Sequence, residues 1–233
     1  MNRLCKLIAV AFVAFSASAA TVIAAPSQIK TARLPAGADA ADPAGAVWGK
    51  APATEIVLVT APAVHASISG TASVTSVAVQ AFTDGKRVFF RLSWADDSAD
   101  TSQEGPGRFL DGVALQFPLD KSQKTAVLMG NAGNRVNIWY WRADGKVQNL
   151  FADGLGTLTP ADVQDVSGKG MYRDGRWRVV LMRPLKSAAA DAIQLSMTGR
   201  VPVAPAVWNG ANAERDGFKA VTMEWQSLVL TTK

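Results

Sequence analysis

Short apolar runs broken by turn signals organise this chain. In residues 86–94, Val88, Phe90, Leu92 and Trp94 alternate with Arg87, Phe89, Arg91 and Ser93. That period of two places the first set on one face of a β-strand. Residues 74–82 form the preceding run, and Asp84-Gly85 lies between the two, which predicts a hairpin. Asp-Gly pairs recur at 111-112, 144-145, 153-154, 174-175 and 216-217. Turns at that density predict many short antiparallel strands. Further strands are expected at 55–59, more weakly at 64–68, and at 113–117, 136–141, 177–182, 193–203 and 220–230. No stretch has the amphipathic pattern of a helix longer than about three turns. The expected fold is all-β, an antiparallel β-sandwich with loops gathered at its ends where a ligand can sit.

The first 25 residues read differently. Arg3 and Lys6 precede an apolar run, and small residues follow through Ala25, with Ala17-Ser18-Ala19 and Val22-Ile23-Ala24 as cleavage sites. This is the pattern of a secretory signal peptide, so the expectation is an exported, periplasmic protein with no membrane span in its mature chain. Residues 26–46, rich in Ala, Pro, Gly and Asp, read as an extended lead-in, and residues 47–233 as one β-sandwich domain. Cys5, the one cysteine, falls inside the signal. The mature chain thus has no thiol for a disulfide, an iron–sulfur cluster or a covalent haem link. Loss of residues 1–25 lowers Lys plus Arg from 24 to 22 against 19 Asp plus Glu, a net +3. So mild and scattered an excess argues against a nucleic-acid partner.

Inventory excludes several chemistries. His65 is the single histidine, so no zinc constellation and no Cys/His dyad can form. No Gly-x-Ser-x-Gly turn presents a nucleophile, and Gly130-Asn131-Ala132-Gly133 is too short for a phosphate loop. Asp96, Asp97 and Asp100 lack the side-chain spacing of a calcium loop and read as a solvated turn.

Residues 127–141 remain: an apolar run ending at Met129, a Gly/Asn loop, then an aromatic strand. That order can hold a thioether over a large flat ligand. Trp139 and Trp141 share one face of the strand and Tyr140 takes the other. Seven Trp in an exported sandwich also suit a carbohydrate-binding module with an exposed aromatic platform.

Several motifs, in order, carry a family resemblance. They are Asp111-Gly112-Val113-Ala114-Leu115-Gln116-Phe117-Pro118, then Leu128-Met129-Gly130, then Val136-Asn137-Ile138-Trp139-Tyr140-Trp141-Arg142-Ala143-Asp144. Gly175-Arg176-Trp177-Arg178-Val179-Val180, Arg183-Pro184-Leu185, Ala206-Val207-Trp208-Asn209-Gly210, Glu214-Arg215, Gly217 and Lys219 follow. Together they resemble the haem b-binding γ subunits of the ethylbenzene dehydrogenase type. These serve periplasmic molybdenum enzymes of the dimethyl sulfoxide reductase superfamily, among them ethylbenzene and dimethylsulfide dehydrogenases and selenate and chlorate reductases.

The likeness spans roughly residues 39–230 and implies a sandwich holding one non-covalent haem b between loops at one end. Its implied axial ligands fall on Met129 and Lys219. A thioether is a soft ligand that favours ferrous iron. A lysine ligates only as the neutral amine, so Lys219 must be desolvated. Arg135, Arg142, Arg183 and Arg215 are candidates to meet the propionates.

The implied role is electron transfer without a catalytic site. Electrons would pass between an iron–sulfur β subunit, bound to a molybdopterin catalytic α subunit, and a soluble periplasmic cytochrome c. The alternatives are the carbohydrate-binding module and a stand-alone haem b carrier.

Overall fold

The computed structural model describes residues 26–64, 66, 68–120 and 124–231. The expected signal peptide, Cys5 and His65 lie outside the described residues. In chain order the strands are β1 (Gln28–Arg33), β2 (Thr54–Val57), β3 (Val59–Thr60), β4 (Ser76–Thr83), β5 (Arg87–Ala95), β6 (Gly112–Pro118) and β7 (Val136–Arg142). There follow β8 (Val147–Ala152), β9 (Thr159–Pro160), β10 (Ser167–Tyr172), β11 (Arg176–Pro184), β12 (Gly199–Trp208), β13 (Ala220–Val221) and β14 (Gln226–Leu230). One 3-10 turn, Ala46–Lys50, precedes β2, and the described residues contain no α-helix.

One layer runs β10-β11-β5-β4 with β2 added on β4; the other runs β12-β6-β7-β8-β9. Strands β1 and β14 join them. Ile29 and its neighbours pair with β14, and residues Thr31 to Arg33 pair with β4, so β1 passes from one layer to the other. The two layers face each other across a shared core. Phe90 of β5 stands 6.0 Å from Phe117 of β6 and 5.7 Å from Trp139 of β7, ring centre to ring centre. Val88, Phe90, Leu92 and Trp94 all enter this core, as their alternation predicts. The architecture is an all-β sandwich.

Several local expectations need correction. Residues 28–33 are not a lead-in ahead of the domain but a strand between β4 and β14. Both of its pairings are parallel, so the sheet is mixed rather than purely antiparallel. A parallel strand needs no tight turn, so it leaves no hairpin signature in the sequence. Ala40, Trp48 and Ala51 then pack on Phe82, Phe89 and Val180, covering the outer face of the first layer. Residues 64, 66 and 68 are not in a strand. The segment expected at 193–203 is paired only from Gly199, and the one at 220–230 breaks between Val221 and Gln226. Strands β8, β9 and β10 were not anticipated; Gly168 and Gly170 in β10 weaken its pattern.

The second layer is apolar on both faces. Val113, Leu115 and Phe117 of β6 point into the core, while Ala114 joins Val136, Ile138, Leu150 and Ala152 in a separate cluster on the outer side. Every residue of β6 is therefore buried. A face that loops must cover is where the site lies.

Candidate functional site

A cavity of about 760 Å³ occupies that outer face. Its floor is built from alternate residues of adjacent strands, including Ala114 and Gln116 of β6, Ile138 and Tyr140 of β7, Leu150 of β8 and Ala206 of β12. Ala114 and Ala206 are direct cross-strand partners. Two methyl groups side by side give a low, flat floor where larger side chains would fill the space. Tyr140 and Trp208 form one wall, with ring centres 5.1 Å apart. Segments around Pro62, Leu128, Leu155 and Gly217 form the rim. The cavity is thus over a sheet face, not among loops at one end of the sandwich. Alternation along β6 and β7 marks two faces but cannot show that both are covered.

Met129 enters from the loop between β6 and β7. The loop is closed by hydrogen bonds between Asn131 and Asn134, whose backbones donate to each other's carbonyls at 3.2 and 2.7 Å. Met129 itself has φ +61° and Gly130 φ +75°. A left-handed methionine is costly, which the surrounding structure must offset. Gly130 is required: a Cβ there would meet the Asn134 carbonyl at 2.6 Å. The Gly154 N–H donates to the Met129 carbonyl at 3.0 Å, fixing the turn against the segment that carries Leu155.

Lys219 enters from the loop between β12 and β13. Buried Glu214 anchors that loop: its carboxylate accepts from the Ser73 N–H at 2.8 Å, the Asn212 side-chain amide at 2.9 Å and the Asn209 N–H at 3.2 Å. Ala61 donates to the Lys219 carbonyl at 2.9 Å. The Lys219 Nζ stands 3.9 Å from the Met129 Sδ, 3.3 Å from the Asp216 carbonyl and 5.0 Å from the centre of the Trp208 ring. Burial pushes its pKa down to about 8, against a smaller opposing effect from the Asp216 charge. Near neutral pH this amine is therefore much closer to its uncharged form than a surface lysine is.

Met129 and Lys219, singled out in the sequence, are brought together. The four arginines are not among the residues that line the cavity. Arg135 pairs with Asp191, Arg142 with Asp144, and Arg215 lies over Phe109. Arg183 is buried on the core side of β7. Among the described residues Lys219 is the cavity's one cation. Nor is Asp96 in a solvated turn. It is buried beside Asp111, and burial followed by the Asp111 charge pushes its pKa up to about 6. No cluster of three or more His, Cys, Asp or Glu able to hold a metal ion occurs among the described residues. Trp139 and Trp141 are 0% and 2% exposed, so they do not form a sugar platform. Ala114, Ala206 and Trp208 fall within the ordered motifs but carry no role there, and Leu155 lies outside them; the available signal is the small residues at the outward positions of β6 and β12.

The family model described as Ethylbenzene dehydrogenase matches residues 45–164 and 156–220. The chain belongs to the ethylbenzene dehydrogenase family. Within it, the chain is similar to the chlorate reductase subunit gamma of Ideonella dechloratans, at 43% identity over 95% of this chain and 93% of that one. It is also similar to the dimethylsulfide dehydrogenase subunit gamma of Rhodovulum sulfidophilum, at 36% over 79% and 73% of the two chains. A third relative is the proposed respiratory nitrate reductase heme subunit ORF7 of Haloferax mediterranei, 40% identical over 78% of this chain and 66% of that protein. Among solved structures, a family 9 carbohydrate-binding module from Caldicellulosiruptor kristjanssonii aligns with a TM-score of 0.57 at 10% identity, covering 89% of this chain and 97% of that one. That identity makes it a likeness of fold alone. This ethylbenzene dehydrogenase family member shares the sandwich, and five of its tryptophans, Trp48, Trp94, Trp139, Trp141 and Trp177, are buried.

Proposed function

We propose that this chain is a periplasmic electron-transfer subunit that holds one haem b non-covalently, with Met129 and Lys219 as axial ligands. The observation that carries the reading is the 3.9 Å approach of a thioether and a desolvated amine across an apolar cavity. Met129 would offer a soft thioether sulfur and Lys219 an amine nitrogen to a metal held in this cavity. The cavity is large enough for a sizeable flat cofactor, and its Ala114–Ala206 floor offers an even surface.

Bound haem supplies a one-electron ferric/ferrous couple. The protein groups set where that couple lies and what reaches it. The soft Met129 sulfur favours the ferrous state, raising the reduction potential. Burial lowers the pKa of Lys219, so giving up its proton to bind a metal would cost less than for a surface lysine, and the Trp208 ring lies beside it. Tyr140, Ile138 and Leu150 keep the cavity apolar.

The relatives named as gamma and heme subunits support assembly with a molybdopterin catalytic α subunit and an iron–sulfur β subunit. Electrons would then pass between that β subunit and a soluble periplasmic cytochrome c. The expected signal peptide supports export. No helix among the described residues is long and apolar enough to cross a membrane.

Absorption and EPR spectroscopy on protein purified with haem available test the assignment. Wild type should show a low-spin, six-coordinate spectrum. Met129→Ala and Lys219→Ala should each lose it, and His65→Ala should keep it. Loss of low-spin haem in His65→Ala with retention in Lys219→Ala would overturn the Lys219 assignment. Co-purification with a molybdenum-containing chain and a cluster-bearing chain separates a subunit from a stand-alone carrier.

A further inference from the structure

Arg183 is 1% exposed and lies inside the sandwich with no carboxylate among the described residues hydrogen-bonded to it. Its guanidinium donates to three neutral acceptors: the Pro184 carbonyl at 3.1 Å, the Asn137 Oδ1 at 3.4 Å and the Ile193 carbonyl. The group also sits 4.8 Å from the centre of the Trp139 ring. A buried cation is normally neutralised where it stands. Here the negative charge is displaced. Asn137 Nδ2 donates to Asn149 Oδ1 at 2.7 Å, and Asn149 Nδ2 donates to Asp165 Oδ1 at 3.1 Å. Both asparagines are fully buried, while Asp165 is half-buried. All three donors point the same way, from guanidinium to carboxylate, so the amide dipoles are aligned between a buried positive end and an outer negative end.

The position of the positive end matters. Asn137 and Trp139, its two contacts on β7, flank Ile138, whose side chain lies on the cavity floor. Successive residues of a strand point to opposite faces. Arg183 therefore stands directly beneath the sheet whose upper surface is the floor. We infer that Arg183 sets the reduction potential of the couple held in this cavity, as a fixed positive charge one sheet layer away that favours the reduced state. This rests on the haem reading given above. Reduction adds one electron to ferric iron and makes or breaks no bond, so the lower positive charge of the ferrous site is what the cation favours. A unit charge at roughly 10 Å with an effective dielectric of about 20 shifts such an equilibrium about tenfold.

The test is a potentiometric titration with dithionite and ferricyanide of the holoprotein, wild type and variants, followed by absorption. Arg183→Met should shift the equilibrium about tenfold toward ferric, about 59 mV for a one-electron couple, with the low-spin spectrum retained. Arg183→Lys, which keeps the charge, should stay close to wild type. Asp165→Asn removes the displaced counter-charge and should shift the equilibrium the other way by a smaller factor. It stands as the deciding variant should Arg183→Met fail to fold. A purely structural role predicts the same potential in every variant that keeps the spectrum, and that result overturns the inference alone. Wild-type protein that binds no low-spin haem overturns both the inference and the reading beneath it.

Discussion

The Met129 thioether and the Lys219 amine come from loops at opposite ends of the layer's strand sequence, one between β6 and β7 and the other between β12 and β13, yet stand 3.9 Å apart. They meet because the two loops leave opposite ends of the antiparallel β6–β12 pair and both fold over its outer face. A cation held beside a sulfur and an indole has lost most of its hydration. Its folded pKa of about 8 lies below the ordinary lysine value of 10.5, so between these values the unfolded chain binds more protons. Stability of the haem-free protein therefore rises with pH across that window, and the cost of burial is fully present below it. After discounting for partial exposure, the rise should be on the order of 1–2 kcal/mol. Urea unfolding at pH 7.5 and pH 10 checks this. Lys219→Met should flatten the dependence; an unchanged slope in that variant would place the titration elsewhere.

Gly130→Ala should disable the Met129 loop. The new Cβ would meet a backbone carbonyl at 2.6 Å, at a φ of +75° that side chains rarely adopt. A loss of about 2 kcal/mol is expected, together with weaker haem retention. Gly133, also at positive φ but with open space around it, should cost less on the same change. Thermal unfolding and gel filtration with absorbance at the Soret band distinguish the two positions.

Ala206→Phe should fill the cavity without unfolding the sheet. Ala206 is half-buried and its methyl group borders the empty volume, so a ring has room to lie on Ala114. Melting temperature should hold or rise by a few degrees, and haem should no longer be retained. Normal haem binding in this variant would move the site away from the floor described.

Asp96 offers a check on a group outside the cavity lining. Its folded pKa is raised from 3.8 to about 6 by burial first and by Asp111 second. The folded state then binds more protons between those values, so this residue's contribution falls as pH rises through about 6. Asp96→Asn should gain about 1 kcal/mol at pH 7 and lose the pH dependence between 4 and 6. Calorimetry at pH 4.5 and pH 7 provides the measurement.

Periodicity and turn residues alone determine much of this protein. Alternation at Val88, Phe90, Leu92 and Trp94 fixes both a strand and its buried face, because a side-chain period of two has no helical reading. Asp84-Gly85 places a hairpin turn, since glycine takes positive φ at low steric cost, at +92° here. The ordered motifs also marked Met129 and Lys219.

Tertiary structure decided the rest. Nothing local distinguishes Ile29 in a strand from a lead-in, because its parallel partners lie some 50 and 200 residues away and no turn announces them. Asp96, in a polar segment, is buried among groups brought from elsewhere in the chain, including Asp111, Tyr172 and Asn209. Ala114 and Ala206 look like ordinary small residues until pairing sets them side by side as a floor. Arg183 sits in a charged-looking motif, yet the register of β11 on β5 aims it inward beside Val88. Local sequence sets which face a side chain takes; what covers that face depends on strand pairing at long range, and only the folded chain contains it.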